Sequence, residues 1–198
     1  MIRAVFFDFY SVWTPDKFGY YLAYAELMGP AMFKEIYDAI QKYYSGDMTL
    51  DDLTGTIRYK LGSKDIDQST FKLNSNSISP EIANFMMTLH GHFVKVGVLA
   101  NLGQQEYDLL KDFNDKNPII EIVASPLSLS LKMPLLTQEV FSKAFESIGE
   151  TADTCLYISG NPYHLAFAKV IGLQILQFEG LQHLEANLEQ ILSQDITS

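Results

Sequence analysis

Four points in the sequence place chemically useful side chains directly after short apolar runs. Asp8 follows Val5-Phe6-Phe7, and Tyr10 stands two residues further on. Ala100-Asn101 follows Val98-Leu99, and Lys132 lies a few residues past the run 119–123. Ser159-Gly160-Asn161-Pro162-Tyr163-His164 follows the run 155–158. A carboxylate at the end of an apolar run is costly to bury without a partner, so Asp8 needs a reason to be there. One reason is nucleophilic chemistry, with a cation such as Lys132 holding the aspartate ionised. His164 would then serve as a general base near neutrality. Tyr10, Asn101, Ser159 and Asn161 offer hydrogen bonds to a substrate. Plainer alternatives stand beside each role. Asp8 can cap a turn, Tyr10 can pack as a buried aromatic, and Lys132 can be a solvated loop residue. Asn161 ahead of Pro162 is a good helix N-cap, and His164 would fall in that helix's first turn. His90, His92 and His183 have no metal-ligand spacing and read as surface residues.

These positions meet only if the apolar runs are parallel strands of one sheet. Runs 4–7, 94–99, 119–123, 155–158 and 173–178 are β-branched or aromatic-rich and too short for ordinary helices. Helical patterns lie between them. Ser79-Pro80-Glu81 opens one, with Ile82, Phe85, Met86 and Leu89 on one face and Gly91 closing it. A second runs from Thr137 to Gly149, and Asn161-Pro162 opens a third. Strands alternating with helices imply an α/β fold with helices on both faces of a parallel sheet. Ligands of such sheets bind beyond the carboxyl ends of the strands, where the four points fall. Residues 14–76 break the alternation and read as helices alone, with a capping-box-like start at Thr49-Leu50-Asp51-Asp52. The expected organisation is an α/β core of residues 1–13 and 77–198 with a helical cap, 14–76, inserted in it. The polar stretch 74–79 would be the return linker on which the cap moves. The cap is rich in aromatics, among them Phe18, Tyr20, Tyr24, Phe33, Tyr37, Tyr43 and Tyr44. Most should pack the cap, and a minority could line an apolar pocket over Asp8.

The same residues resemble the motifs of the haloacid dehalogenase-like (HAD) superfamily. Val5-Phe6-Phe7-Asp8-Phe9-Tyr10-Ser11-Val12 resembles its first motif, a strand ending in a nucleophilic aspartate. Val98-Leu99-Ala100-Asn101 is similar to the second, residues 125–132 with Lys132 to the third, and residues 156–172 to the fourth. The insert sits where that superfamily places a helical cap, and Tyr44-Ser45-Gly46-Asp47-Met48-Thr49 resembles a segment common in such caps. The resemblance spans nearly the whole chain and implies a Rossmann-like core. Three departures matter. Family phosphatases carry a second aspartate where Tyr10 stands, a hydroxyl where Ala100 stands, and an acidic pair where Ser159-Gly160 stands. Magnesium-dependent phosphatase activity is therefore not expected, and no cofactor is. The metal-free L-2-haloacid dehalogenases are similar at Tyr10, Asn101, Ser159 and Asn161, with His164 in place of a water-activating aspartate. Their cap arginine has no clear counterpart, since Arg58 stands in a different context. Two functions follow from the resemblance. One is a hydrolase-like protein with an incomplete site, a pseudoenzyme or binding domain. The other is a metal-independent hydrolase using Asp8 as covalent nucleophile on a small organic acid or phosphate ester.

Composition narrows the partners. The chain has 198 residues, enough for one core domain and a small insert. Its 24 acids against 14 bases give a net charge of -10, which disfavours nucleic acid and anionic membrane surfaces. A small-molecule ligand is the expected partner. A single cysteine, Cys155, excludes an intrachain disulfide and suits a cytoplasmic setting. No run has the length of a membrane span, and the first residues lack the pattern of a signal peptide.

Overall fold

The structure, a computed structural model, describes residues 2–92, 94–124 and 137–194. Five parallel strands form one sheet in the order β3-β2-β1-β4-β5. They are β1 (Ala4–Phe7), β2 (Lys95–Leu99), β3 (Ile120–Ala124), β4 (Cys155–Ser159) and β5 (Gln174–Gln177). β1 lies at the centre because both its faces are apolar. Val5 and Phe7 enter one hydrophobic cluster, while Ala4 and Phe6 enter another on the opposite face. β4 alternates in the same way, with Leu156 and Ile158 on the first face and Cys155 and Tyr157 on the second.

Helices α5 (Pro80–Gly91), α6 (Gln104–Lys116) and α9 (Leu181–Gln194) supply Met86, Leu89, Leu110, Leu184 and Leu188 to the first cluster. Helices α7 (Gln138–Ile148) and α8 (Pro162–Val170) cover the other face with Phe141, Phe145, Leu165 and Ala168. The anticipated caps form. The Ser79 hydroxyl accepts from the Ile82 N–H at 3.3 Å and that of Thr49 from the Asp52 N–H at 3.2 Å. Three strands, β2, β3 and β5, start one residue later than expected, and for β2 and β5 the reason is the same. The N–H groups of Val94 and Leu173 bond back to Leu89 and Ala168, so they finish the preceding helices and leave the ladder to the next residue.

Between β1 and α5 lie α1 (Lys17–Met28), α2 (Pro30–Tyr44), α3 (Leu50–Leu61), the short α4 (Gln68–Phe71) and a 3-10 turn at Ser75–Ser77. Among the described residues this stretch contains no strand. Its apolar faces are not a separate core, because Phe18, Ile36, Ile40, Leu53, Ile57 and Phe71 belong to the cluster on the β1 face of Val5 and Phe7. Rings make the join. Phe18 stacks on Phe71 at 5.0 Å and meets Tyr10 edge-on at 5.8 Å, while Trp13 packs edge-on against Phe113 at 5.2 Å. No helix among the described residues is long and apolar enough to cross a membrane.

Candidate active site

The strand order reverses beside β1, so a crevice opens past the carboxyl ends of β1 and β4. Asp8 stands there, the first residue beyond β1 and only 1% exposed. Its N–H donates to the Ile158 carbonyl at 2.8 Å. Its Oδ2 accepts from the Ser159 hydroxyl at 2.7 Å and lies 2.8 Å from His164 Nδ1. The Ser159 oxygen in turn accepts from the Asn161 N–H at 3.0 Å, which directs the hydroxyl proton towards Asp8. Asn161 is the N-cap of α8, accepting from the Tyr163 N–H at 2.9 Å with Pro162 behind it. That cap starts the helix where its first turn brings His164 over Asp8.

The loops from β1 and β4 are tied by Ser11. Its oxygen accepts from the Gly160 N–H at 2.9 Å. Ser11 has φ 71, the left-handed region that a residue with a Cβ occupies at a cost of roughly 1 kcal/mol or more. A Cβ on Gly160 would stand 2.8 Å from that same oxygen, so the approach requires glycine.

Burial and nearby charge shift two groups at this edge, His164 and Asp16. Burial disfavours the charged form of His164, but its hydrogen bond to Asp8 and the charges of Asp8 and Asp16 outweigh that, and its pKa is raised. His164 therefore holds its proton more firmly than a free imidazole. The Asp16 carboxyl is also pushed up, chiefly by burial and further by the charge of Asp8. The Gly19 N–H, which Asp16 accepts at 2.8 Å as N-cap of α1, opposes this.

Above Asp8 is a cavity of about 680 Å³ between the strand ends and helices α1 and α2. Tyr10, Asn101, Asn161 and His164 line it together with Asp8, and Ser159 lies beneath through its bond to Asp8. Phe18, Phe33, Tyr37 and Tyr44 form much of the rest. Asn101 Oδ1, Tyr10 Oη and Gln41 Oε1 are buried atoms on lining residues without a hydrogen-bond partner among the described residues. Tyr10 is thus a packed aromatic, held by Phe9 at 5.1 Å, with a hydroxyl left over. Burial and then the charge of Glu106 push its pKa up. Lys132 lies outside the described residues.

Two neighbours escaped the sequence reading. Asp16 precedes α1 as its N-cap, and that capping position is the one local signal of where it lies. Glu106 sits in the first turn of α6, where an acid is unremarkable. It is nonetheless 1% exposed and accepts from the Tyr43 hydroxyl at 2.6 Å. Gly103 makes this possible, since a Cβ there would lie 2.2 Å from the Tyr43 ring.

No family model matches the sequence, and no curated protein matches it. Solved structures do resemble the fold. The L-2-haloacid dehalogenase from Xanthobacter autotrophicus with chloropropionic acid covalently bound is 18% identical at a TM-score of 0.59, covering 91% of this chain and 79% of that one. A HAD family enzyme from Bacteroides thetaiotaomicron in a magnesium complex is 17% identical at 0.61, covering 92% and 98%. A predicted HAD-like family hydrolase from Porphyromonas gingivalis is 16% identical at 0.64, covering 96% and 98%. At such identities the likeness is one of fold, and the chain has the HAD-like α/β fold.

Proposed function

We propose that this HAD-like protein is a metal-independent hydrolase that forms a covalent ester on Asp8, and not a magnesium-dependent phosphatase. The observation that carries the reading is Asp8 lining a cavity with Oδ2 held by both Ser159 and His164. Magnesium is poorly served by this donor set. It favours several oxygen ligands including carboxylates, yet Tyr10 and Gly160 stand where further acids would be needed, and an imidazole occupies the side of Asp8 Oδ2. No group of three His, Cys, Asp or Glu suited to a metal occurs among the described residues. Residues 125–136 have none of these residue types to add.

In the first step the second Asp8 oxygen attacks an electrophilic carbon of a small substrate. The bond to the leaving group breaks, and the pair departs with that group. Where the leaving group needs a proton, the His164 imidazolium gives it. Esterified Asp8 has lost its negative charge, so the main support for the imidazolium is gone and burial favours the neutral ring. His164 then takes a proton from water as the water oxygen adds to the Asp8 carbonyl carbon. The ester bond breaks and the product alcohol takes the proton back from His164; the second water proton, left on the Asp8 carboxyl, passes to His164, which restores the carboxylate and the imidazolium. Lys132 is the second cation that the resemblance implies for Asp8. Tyr10, Asn101 and Asn161 orient the substrate.

A second reading, ligand binding without turnover, is favoured by Ala100, fully buried where the family's hydroxyl stands. One experiment separates the two. Turnover of a panel of alkyl halides, 2-haloacids and phosphate esters is followed with EDTA present, in water labelled with heavy oxygen, and intact mass is measured. The hydrolase reading expects label to enter Asp8 and activity to vanish in Asp8→Asn. It also expects ester to accumulate in His164→Gln. Activity that survives Asp8→Asn rejects the covalent route, and binding without turnover selects the second reading.

A further inference from the structure

We infer that the cavity over Asp8 takes a small organic cation with an apolar body, an ammonium or amidinium compound, in preference to an organic anion. This rests on the reading of that cavity as the substrate site and names the class of molecule it accepts. Three independent features of the lining point the same way.

The first is charge. Asp8, Asp16 and Glu26 line the cavity, and among the described lining residues there is no lysine or arginine. His164 is the one basic lining residue described, and its Nδ1 is already committed to Asp8 Oδ2. A carboxylate or phosphate entering would meet a surplus of negative charge among the described lining residues, screened least at the buried Asp8. A cation would meet the reverse.

The second is hydrogen bonding. Asn101 and Tyr10 are 8% and 9% exposed, and their Oδ1 and Oη are unpartnered among the described residues, as is Gln41 Oε1. All three are oxygens that can accept. Buried acceptors without donors are destabilising. A ligand bearing several N–H groups offers donors to the Asn101 and Gln41 oxygens, whereas a carboxylate has none to give; the Tyr10 hydroxyl can pair with either.

The third is the walls. Phe18, Phe33, Tyr37 and Tyr44 present rings to the cavity, and Phe33 and Tyr37 are stacked at 5.9 Å with 15° between their planes. Ring faces attract a desolvated cation, and their area takes up an apolar body. A volume of about 680 Å³ leaves room for both parts of such a molecule.

The test uses three probes of one shape, phenylpropylamine, phenylpropanol and phenylpropanoate, titrated into the full chain by calorimetry near neutral pH. The amine is expected to bind about ten-fold tighter than the alcohol, with the acid weakest. Glu26→Gln and Asp16→Asn should each reduce the margin of amine over alcohol several-fold. The acid binding as tightly as the amine overturns the inference, as does failure of all three to bind. A margin unchanged in both variants overturns it too. None of the probes carries a leaving group. A failed oxygen-labelling experiment at Asp8 therefore leaves this result standing, and a failed titration leaves the nucleophile standing.

Discussion

At the scale of single residues, the pair of Asp8 and His164 ties charge to stability. A raised imidazole pKa means that the folded state binds the proton more tightly than the unfolded chain. The resulting stability is fully present below the unfolded value of about 6.5 and is lost as pH rises through the higher folded value. The urea midpoint of the parent should therefore exceed that of His164→Gln most at about pH 5, with the gap narrowing above neutrality. A gap that widens with pH would reject the ion pair. Asp16 acts in the same direction for a different reason, since burial disfavours its charge. Asp16→Asn keeps an N-cap for α1 and removes that charge, so it is expected to raise the midpoint at neutral pH. Ser11→Ala removes the acceptor of the Gly160 N–H without relieving the left-handed backbone. It should lower stability by roughly 1 kcal/mol in chemical denaturation. Asp8, Asn101, Ser159, Asn161 and His164 were legible in the sequence because each follows a strand, and strand ends share one edge. The strain at Ser11 and the burial of Asp16 and Glu106 were not. They arise from which helix face meets which loop, and no local pattern encodes that.

At the scale of elements, the N-terminus of α6 depends on one missing methyl group. The Tyr43 ring from α2 lies where a Cβ on Gly103 would be, and its hydroxyl reaches the buried Glu106. Gly103→Ala is expected to push the ring aside, lengthen that hydrogen bond and cost about 1–3 kcal/mol. Equilibrium unfolding measures the loss, and a cost near zero would mean that α2 can slide to make room. The five strands were readable as short apolar runs, because a parallel strand covered on both faces leaves little place for polar residues. Their limits were less so. Val94 and Leu173 have strand-like side chains, yet their backbone N–H groups close the preceding helices. The helices between β1 and α5 were readable from the absence of strand periodicity. Their docking was not, since it rests on rings such as Phe18 and Phe71 meeting across sequence-distant helices.

At the scale of the whole molecule, one apolar cluster runs from Val5 and Phe7 through Trp13 and Phe71 to Leu184. Helices joined to the sheet by shared rings are expected to melt with it. Trp13, the single tryptophan, sits at that junction 1% exposed. Its emission should start blue-shifted and move red in one transition coincident with the loss of far-ultraviolet dichroism. Two separated transitions would show that helices 17–71 unfold on their own. Cys155 offers a second probe of the same interior. Burial pushes its thiol up to about 11, so thiol reagents should modify it only in denaturant.

The central position of β1 also sets an order in time. β1 pairs with β2 and β4, and the last residue of β4 follows the last residue of β1 by 159 − 7 = 152 positions. A ribosome adding about 5–20 residues per second needs roughly 8–30 seconds to cover that distance. Throughout that interval the Ala-Val-Phe-Phe segment has at most one of its two partners. The nascent chain therefore carries an unfinished strand edge, the kind of surface that chaperones bind and that other chains can pair with. The same strand that leads to Asp8 must wait for almost four-fifths of the chain before it has both neighbours, so the Asp8 carboxylate is among the last groups to find its partners, Ser159 and His164.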